Sequence, residues 1–220
     1  MEGVVVVADL HIGYEASLEE EGVHLPRTQT ATMKESLIKV LEKHDPGTVV
    51  VLGDLKHSFG RNLGQEWRDV SSILSLLSDR SKVVIVRGNH DNYLQSIASK
   101  MGLSVVERWQ MRGLTFAHGH VASHSRPIVI AHEHPSVRIA DAVGASVKLP
   151  CFLHFTKDDV VVMPAFSPLA LGTDVTKASS SDFLSPVLSG CDVDETSVYA
   201  CSEIGMLSLG SVSSLGSLRD

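Results

Sequence analysis

Five short clusters hold the residue types that bind divalent metals and move protons. They are Asp9-Leu10-His11, Gly53-Asp54 with His57, Gly88-Asn89-His90-Asp91, His118-Gly119-His120 and His132-Glu133-His134. The chain has eleven histidines, and most of them stand beside Asp, Gly or Asn in these clusters. Nitrogen and oxygen donors without a thiolate suit manganese, iron, zinc or cobalt. Neutral imidazoles leave coordination positions open. Two ions held ~3.5–4 Å apart acidify a shared water and clamp phosphoryl oxygens, which is the chemistry of phosphate-ester hydrolysis. One carboxylate must then bridge both ions. Taken singly, a Gly-Asp at a strand end or a His-x-His is common. All five together, each after an apolar run, form a specific pattern.

The elements that must position these clusters are legible as apolar periodicity. Gly3 to Ala8, Thr48 to Leu52 and Lys82 to Val86 read as buried strands, and the first three clusters follow them directly. Thr28 to His44 follows a helical period with Met33, Leu37, Val40 and Leu41 on one face, and Asp45-Pro46-Gly47 stops it. Gln65 to Leu77 reads as a second helix. Asn92 to Met101 is a third, closed by Gly102. This βαβαβ rhythm predicts parallel strands, whose carboxyl ends are where ligands collect in open α/β sheets. Asp9 and His11, spaced i and i+2, would share one side of an extended chain. Beyond Gly102 helical periodicity fades. Leu103–Arg108 and Leu114–Ala117 flank a turn at Arg112-Gly113, and Pro127–Ala131 adds a strand. Cys151–Phe155 and Val160–Met163 form a hairpin, and Val198–Ala200 and Met206–Leu209 read as edge strands. The segment 176–220 is Ser- and Gly-rich and expected to be partly irregular, with mobility within Gly210 to Asp220. With no repeat and no linker, residues 1–220 are expected to form a single domain.

The charge balance is 26 acidic against 19 basic residues, a net of −7, the opposite of an electrostatic nucleic-acid binder. The longest apolar run, Val4 to Ala8, is far short of the roughly 18 residues of a membrane span. No basic segment precedes it, so neither a secretory signal nor a membrane partner is expected. Three cysteines, Cys151, Cys191 and Cys201, are an odd number without CxxC spacing. They predict no disulfide framework and a cytoplasmic location.

The ordered clusters closely resemble the calcineurin-like metallophosphoesterase superfamily, whose pattern runs DxH, GDxxH, GNHD, HG and HxH. Asp9-Leu10-His11-Ile12-Gly13, and His132 to Pro135 followed by Lys148-Leu149-Pro150-Cys151-Phe152, resemble the archaeal SbcD-related and the DNA ligase-associated phosphoesterases within it. Ala131 stands where the family usually has Gly, outside the ligating pair. The resemblance implies a four-layer α/β/β/α sandwich with two mixed sheets and a dinuclear centre, with manganese as the activating ion. It assigns Asp54 as the bridge. Asp9, His11 and His134 complete one ion, and Asn89, His118 and His132 the other. His120 competes with His118, which is preferred because the family ligand precedes the Gly. His90 would lie over the substrate phosphate with Asn89 and protonate the leaving oxygen, with an acidic neighbour setting its tautomer. His57 resembles a second phosphate-facing histidine of SbcD-type enzymes. Asp91 either caps the third helix or orients His90, and the two roles are compatible.

Other residues read as supporting structure. Glu133, between two ligands, would face away from them, as a buried support or into solvent. His24, His44 and His124 are surface residues, His154 sits on a strand face, and Arg27 is a solvated surface arginine. The implied function is a dinuclear-metal phosphodiesterase that hydrolyses small or nucleotide diesters by attack of a metal-activated hydroxide. The alternatives are an SbcD-like DNA nuclease, a phosphomonoesterase and, less favoured, a non-catalytic metal-binding scaffold. Nucleic acid is a less favoured partner than a small diester, and a homo-oligomer is compatible with the sequence.

Overall fold

In the structure, a computed structural model, residues 3–58, 64–140, 145–170 and 172–216 are described. The last four residues of the segment expected to be mobile, 217–220, lie outside them. The chain divides into two compact units, Met1–Trp109 with Phe166–Ala170, and Gln110–Ala165 with Leu171–Asp220.

The first unit is built on β1 (Val4–Val7), β2 (Thr48–Leu52), β3 (Lys82–Val86) and β4 (Val105–Val106), ordered β1-β2-β3-β4. Every pairing in it is parallel, in registers such as Val7↔Val51 and Val51↔Ile85. The mixed character expected of both sheets therefore does not apply here. Each return to the sheet passes through α2 (Gln29–His44), α3 (Gly64–Ser78) or α4 (Leu94–Lys100). Such crossovers bring the chain back in the same direction. The stripe Met33, Leu37 and Leu41 of α2, with Val70, Ile73, Leu74 and Leu77 of α3, closes over Val49, Val51 and Ile85. Asp45 ends α2 in a left-handed conformation (φ 40°), and its N–H returns to the Leu41 carbonyl.

A seven-residue helix, α1 (Tyr14–Glu20), was not legible, because none of its residues is buried and it has no apolar stripe. The left-handed Gly13 (φ 93°) starts it. A Cβ there would meet the Glu66 carboxylate at 3.0 Å. Its Glu15 carboxylate accepts the N–H groups of Thr28 (2.8 Å) and Gln29 (2.7 Å), capping the start of α2 from outside that helix.

The second unit carries β5 (Arg108–Met111, where the division falls), β6 (Leu114–Ala117), β7 (Ile128–Ile130), β8 (Ser136–Ala140), β9 (Ser146–Phe155), β10 (Val160–Val162), β11 (Ser197–Ser202) and β12 (Gly205–Ser211). Its sheet runs β12-β11-β9-β10-β7-β6-β5 with β8 paired to β9, and it mixes parallel β6·β7 and β7·β10 with antiparallel β9·β10 and β9·β11. The Arg112-Gly113 turn has positive φ at both residues (52° and 80°), as a two-residue hairpin requires. β9 is longer than expected because its first half pairs with β8, a strand missed at sequence level. Pro150 within that pairing reads as a strand breaker in isolation. A separate apolar core surrounds Ile130, Leu153, Phe155, Val162 and Val198. The fold is thus mixed α/β with two sheets. No helix among the described residues is long and apolar enough to cross a membrane.

Candidate functional site

In the first unit the clusters are aimed by the backbone beyond the strand ends. β1 and β2 continue as a zipper. Asp9 N–H donates to Gly53 O (3.1 Å), His11 N–H to Asp54 O (2.9 Å), Ile12 N–H to Leu55 O (3.0 Å) and His57 N–H to Ile12 O (2.9 Å). Asp9, His11 and Asp54 are left-handed, with φ of 53°, 46° and 48°. The i, i+2 argument from an extended chain therefore does not hold for Asp9 and His11. Non-glycine residues in this region store roughly 1–3 kcal/mol each, strain that concentrates at functional sites.

Asp54 is the focus of this unit and is buried. Its Oδ1 accepts the His90 backbone N–H at 2.8 Å. Its Oδ2 lies 3.9 Å from Nε2 of both His11 and His90, beyond hydrogen-bond reach. Gly88 makes this approach sterically feasible, since a Cβ there would lie 2.0 Å from Asp54 Oδ1 and 2.2 Å from its nitrogen. Asp91 ties the loops together. Its Oδ1 accepts from Leu55 N–H (3.0 Å) and Lys56 N–H (3.4 Å), and its Oδ2 from Gly88 N–H (2.8 Å). The N-cap of α4 is Tyr93, so the capping role considered for Asp91 is not the one observed. Asn89 follows Gly88 at the end of β3, half-buried.

His90 Nδ1 donates to the carbonyl oxygen of His57 (2.5 Å), a backbone partner where an acidic side chain was expected. His57 stacks on Tyr14 (ring centroids 4.1 Å apart, 20° between planes), and its Nδ1 stands 3.4 Å from His11 Nδ1. Burial, and then the neighbouring His90, pull the His57 pKa down to about 4, so its ring is neutral at pH 7. Asp9, Asp54, Glu66 and Asp91 are all buried, and Lys56 is a buried ammonium near Glu66, Asp91 and Asp54. Burial pulls the Lys56 pKa down, while Glu66, Asp91 and Asp54 oppose the shift. Burial withdraws these carboxyl groups from water, and Asp9 and Asp54 stand with imidazole nitrogens in groups that could hold a metal ion.

In the second unit His118 directly follows β6 and is buried. Its carbonyl accepts the Ala131 N–H at 2.9 Å. Its ring lies 5.0 Å from His132 and 5.2 Å from His120. His132 (φ 73°) and His134 (φ 46°) are both left-handed and half-buried. Glu133 between them is buried, and its carboxylate accepts the N–H groups of Leu184 (3.2 Å) and Ser185. It supports the loop and does not face solvent. Gly172 packs on that loop, where a Cβ would fall 1.2 Å from the His134 carbonyl oxygen.

Among the residues read as bland, His24, His44 and His124 are exposed and His154 is half-buried on β9. Arg27 pairs with Glu19. Tyr14, Lys56, Glu66 and Gly172 were missed by sequence reasoning. The first three adjoin the motifs only in space or by a single position, and a lone Gly carries no signal of close approach.

A parallel sheet with buried carboxylates and imidazoles just past its strand ends, and a second sheet ending in histidine loops, define the equipment of a metal-dependent hydrolase. Residues 3–187 match the calcineurin-like phosphoesterase family, and the chain belongs to that family. It is a metallophosphoesterase, a hydrolase of phosphoric esters, of a family that depends on a dinuclear metal centre, and its Asp and His side chains form groups that could hold a metal ion. The fold is similar to that of the nuclease MPE from Pseudomonas putida, with a TM-score of 0.65, 22% identity, and 93% of this chain and 87% of that one covered. Weaker likenesses are to the phosphoesterase YfcE from E. coli (TM-score 0.40, 14% identity, 91% and 88% covered) and to a protein of unknown function from Aquifex aeolicus (TM-score 0.39, 16% identity, 61% and 80% covered). No curated protein matches the sequence.

Proposed function

We propose that the protein is a dinuclear-metal phosphodiesterase of the SbcD-related and ligase-associated type. It hydrolyses small or nucleotide phosphodiesters in the cytoplasm, with residues 1–220 acting as one catalytic domain. The observation that carries the proposal is the convergence of two imidazole Nε2 atoms on Asp54 Oδ2, each at 3.9 Å, in the unit where Asp9, Asp54 and Asp91 are buried. In this reading Asp54 serves both ions. Asp9, His11 and His134 hold one, and Asn89, His118 and His132 the other, with manganese as the working ion. When bound, such ions acidify a water and neutralise phosphoryl oxygens.

The chain's own groups do the rest. His90, with Nδ1–H held by the His57 carbonyl, confines proton exchange to Nε2. From there the proton passes to the leaving ester oxygen. Asn89 orients the phosphate. Asp91 keeps the loops carrying Asp54 and His90 in register through three backbone N–H groups.

The preference for a diester rests on charge. A monoester at neutral pH carries nearly two charges and a diester one. His57 is neutral at pH 7. Arg27, Arg80 and Arg87 are engaged in exposed pairs with Glu19, Glu42 and Glu107, which holds these three guanidinium groups on partners other than a terminal phosphate. The test compares kcat/KM on bis- and mono-nitrophenyl phosphate with manganese, alongside a labelled DNA duplex. The diester should be preferred and the duplex left largely intact. A monoester preference, or robust duplex degradation in line with the nuclease reading, would overturn the proposal.

A further inference from the structure

His57 stands at the junction of the two histidines whose Nε2 atoms meet at Asp54. Its side-chain Nδ1 is 3.4 Å from Nδ1 of His11, and its backbone oxygen accepts from Nδ1 of His90. The far nitrogens of both rings, the two Nε2 atoms, are each 3.9 Å from the same carboxylate oxygen. One residue thus meets the near edge of both rings, with its side chain on one and its main chain on the other. His57 is itself fixed on two sides. Its N–H donates to Ile12 O at 2.9 Å, and its ring lies flat on Tyr14. Tyr14 owes its place to the left-handed Gly13 that starts α1.

We propose that His57 is a positioning residue that sets the tautomer of His11, and that the Tyr14 ring holds it in place to do so. The proposal rests on the reading of His11 as a metal ligand, and it moves His57 away from the phosphate-facing role that the resemblance implies. A neutral imidazole has one N–H and one lone pair. For His11 to offer Nε2 to a cation beside Asp54, its proton must sit on Nδ1. That proton then needs an acceptor, and the lone pair on His57 Nδ1, 3.4 Å from His11 Nδ1, is a side-chain acceptor in reach. The reverse arrangement would put the proton on His11 Nε2, pointing it at the cation. Ligating histidines are regularly fixed in this way by a partner on the other ring nitrogen, and loss of such partners costs about 10- to 100-fold in metal affinity.

The two contacts of His57 differ in a way an experiment can use. A substitution removes the side-chain acceptor for His11 but leaves the carbonyl that serves His90. His57→Phe keeps a ring against Tyr14 and has no acceptor. His57→Asn places an amide oxygen near the former Nδ1. Nitrogen-15 histidine spectra of the metal-free protein should show Nδ1–H tautomers for both His11 and His90. In His57→Phe only His11 should become mixed. In titrations with manganese alone, one equivalent should bind about 10- to 100-fold more weakly in His57→Phe, with partial recovery in His57→Asn. Tyr14→Ala leaves all three histidines in place and should shift His11 in the same direction by less.

An unchanged His11 tautomer and unchanged manganese affinity, with KM alone raised, would return His57 to the phosphate and overturn the proposal. So would the outright loss of one equivalent in both His57 variants, which would make His57 a ligand, a role the grouping of His11, His57 and His90 nitrogens within 4.8 Å also admits. If His57→Phe moved both tautomers, the loop itself would have shifted, and a His11 tautomer unmoved in Tyr14→Ala would then overturn it. A wild-type chain that bound no manganese would end the dinuclear reading, while the tautomer comparison would still decide this one.

Discussion

The two units hold their donors by different means. In the first, buried carboxylates and imidazoles follow short parallel strands, and the loops carrying them are locked by backbone hydrogen bonds and by Gly88 against Asp54. In the second, His118, His132 and His134 follow the strands. The Glu133 between two of them ties their loop to the N–H groups of Leu184 and Ser185, and Gly172 packs against His134. The first unit therefore concentrates buried carboxyl groups. The second supplies imidazoles whose placement depends on packing. Removing charge from the first should affect metal binding more than removing any one imidazole from the second.

Asp54 gives the sharpest break of this comparison. Asp54→Ala removes the carboxylate assigned to both ions and the acceptor for His90 N–H. Activity should fall by about 10³-fold or more, exceeding the 10²–10³ lost with a single oxyanion-hole donor. Elemental analysis should show both metals lost or weakly held, whereas His118→Ala should keep at least one. Two full equivalents retained in Asp54→Ala would refute the difference between the units.

His90 sharpens the comparison within the first unit, separating proton transfer from metal holding. His90→Ala should keep its metals and lose about 10²–10⁴-fold in turnover. The loss should be smaller for a nitrophenolate leaving group, which needs little protonation. Metal loss on this change would make His90 a ligand.

The glycines test the packing in each unit. Gly88→Ala and Gly172→Ala each drive a methyl group into backbone, at 2.2 Å from the Asp54 nitrogen and 1.2 Å from the His134 oxygen. Overpacking of this kind costs about 1–3 kcal/mol, with more expected where backbone must move. Denaturant midpoints should fall for both. Metal affinity measured under folded conditions should fall further for Gly88→Ala, because its obstacle is Asp54, including the carboxylate Oδ1 at 2.0 Å. Equal midpoints to wild type would show that the loops yield freely.

The smallest effect concerns Cys151, buried in the second unit, where burial pushes the thiol up to about 12. The folded state thus favours the protonated thiol, and an unfolded cysteine titrates near 8.5. The stabilisation is complete below roughly pH 8.5 and is lost as pH rises toward 12. At pH 8 a thiol reagent should label Cys151 only on unfolding, and more slowly than the partly exposed Cys201. Rapid native labelling of Cys151 would mean that the β9 core opens readily.

Much of the first unit was legible because its signals are local. Thr48–Leu52 and Lys82–Val86 are strands with the expected bounds, and the apolar stripes of α2 and α3 face the core as their period requires. The presence of Asp9, His11, Asp54, Asn89, His90, His118, His132 and His134 just past apolar runs was likewise readable, since motif order survives without coordinates. The means of aiming them was not. An extended chain would alternate its side chains, yet Asp9 and His11 are left-handed and set by hydrogen bonds to a strand more than forty residues away. β8 went unread because its partner is the Pro150-containing half of β9, and pairing is a property of two segments together.

The sequence by itself determined the donor types, their order and the apolar runs that carry them, because residue chemistry and periodicity are local. Tertiary structure decided which groups face the Nδ1 atoms of His11 and His90. Hydrogen-bond partners come from elsewhere in the chain, so the His57 carbonyl beside His90 Nδ1 and the His57 ring beside His11 Nδ1 have no signature in either motif. It also decided that Glu133 faces inward, that Gly88 and Gly172 admit no side chain, and that Tyr14 of a helix without a buried face stacks on His57. Each of these depends on a close approach between segments distant in sequence, which only the folded chain specifies.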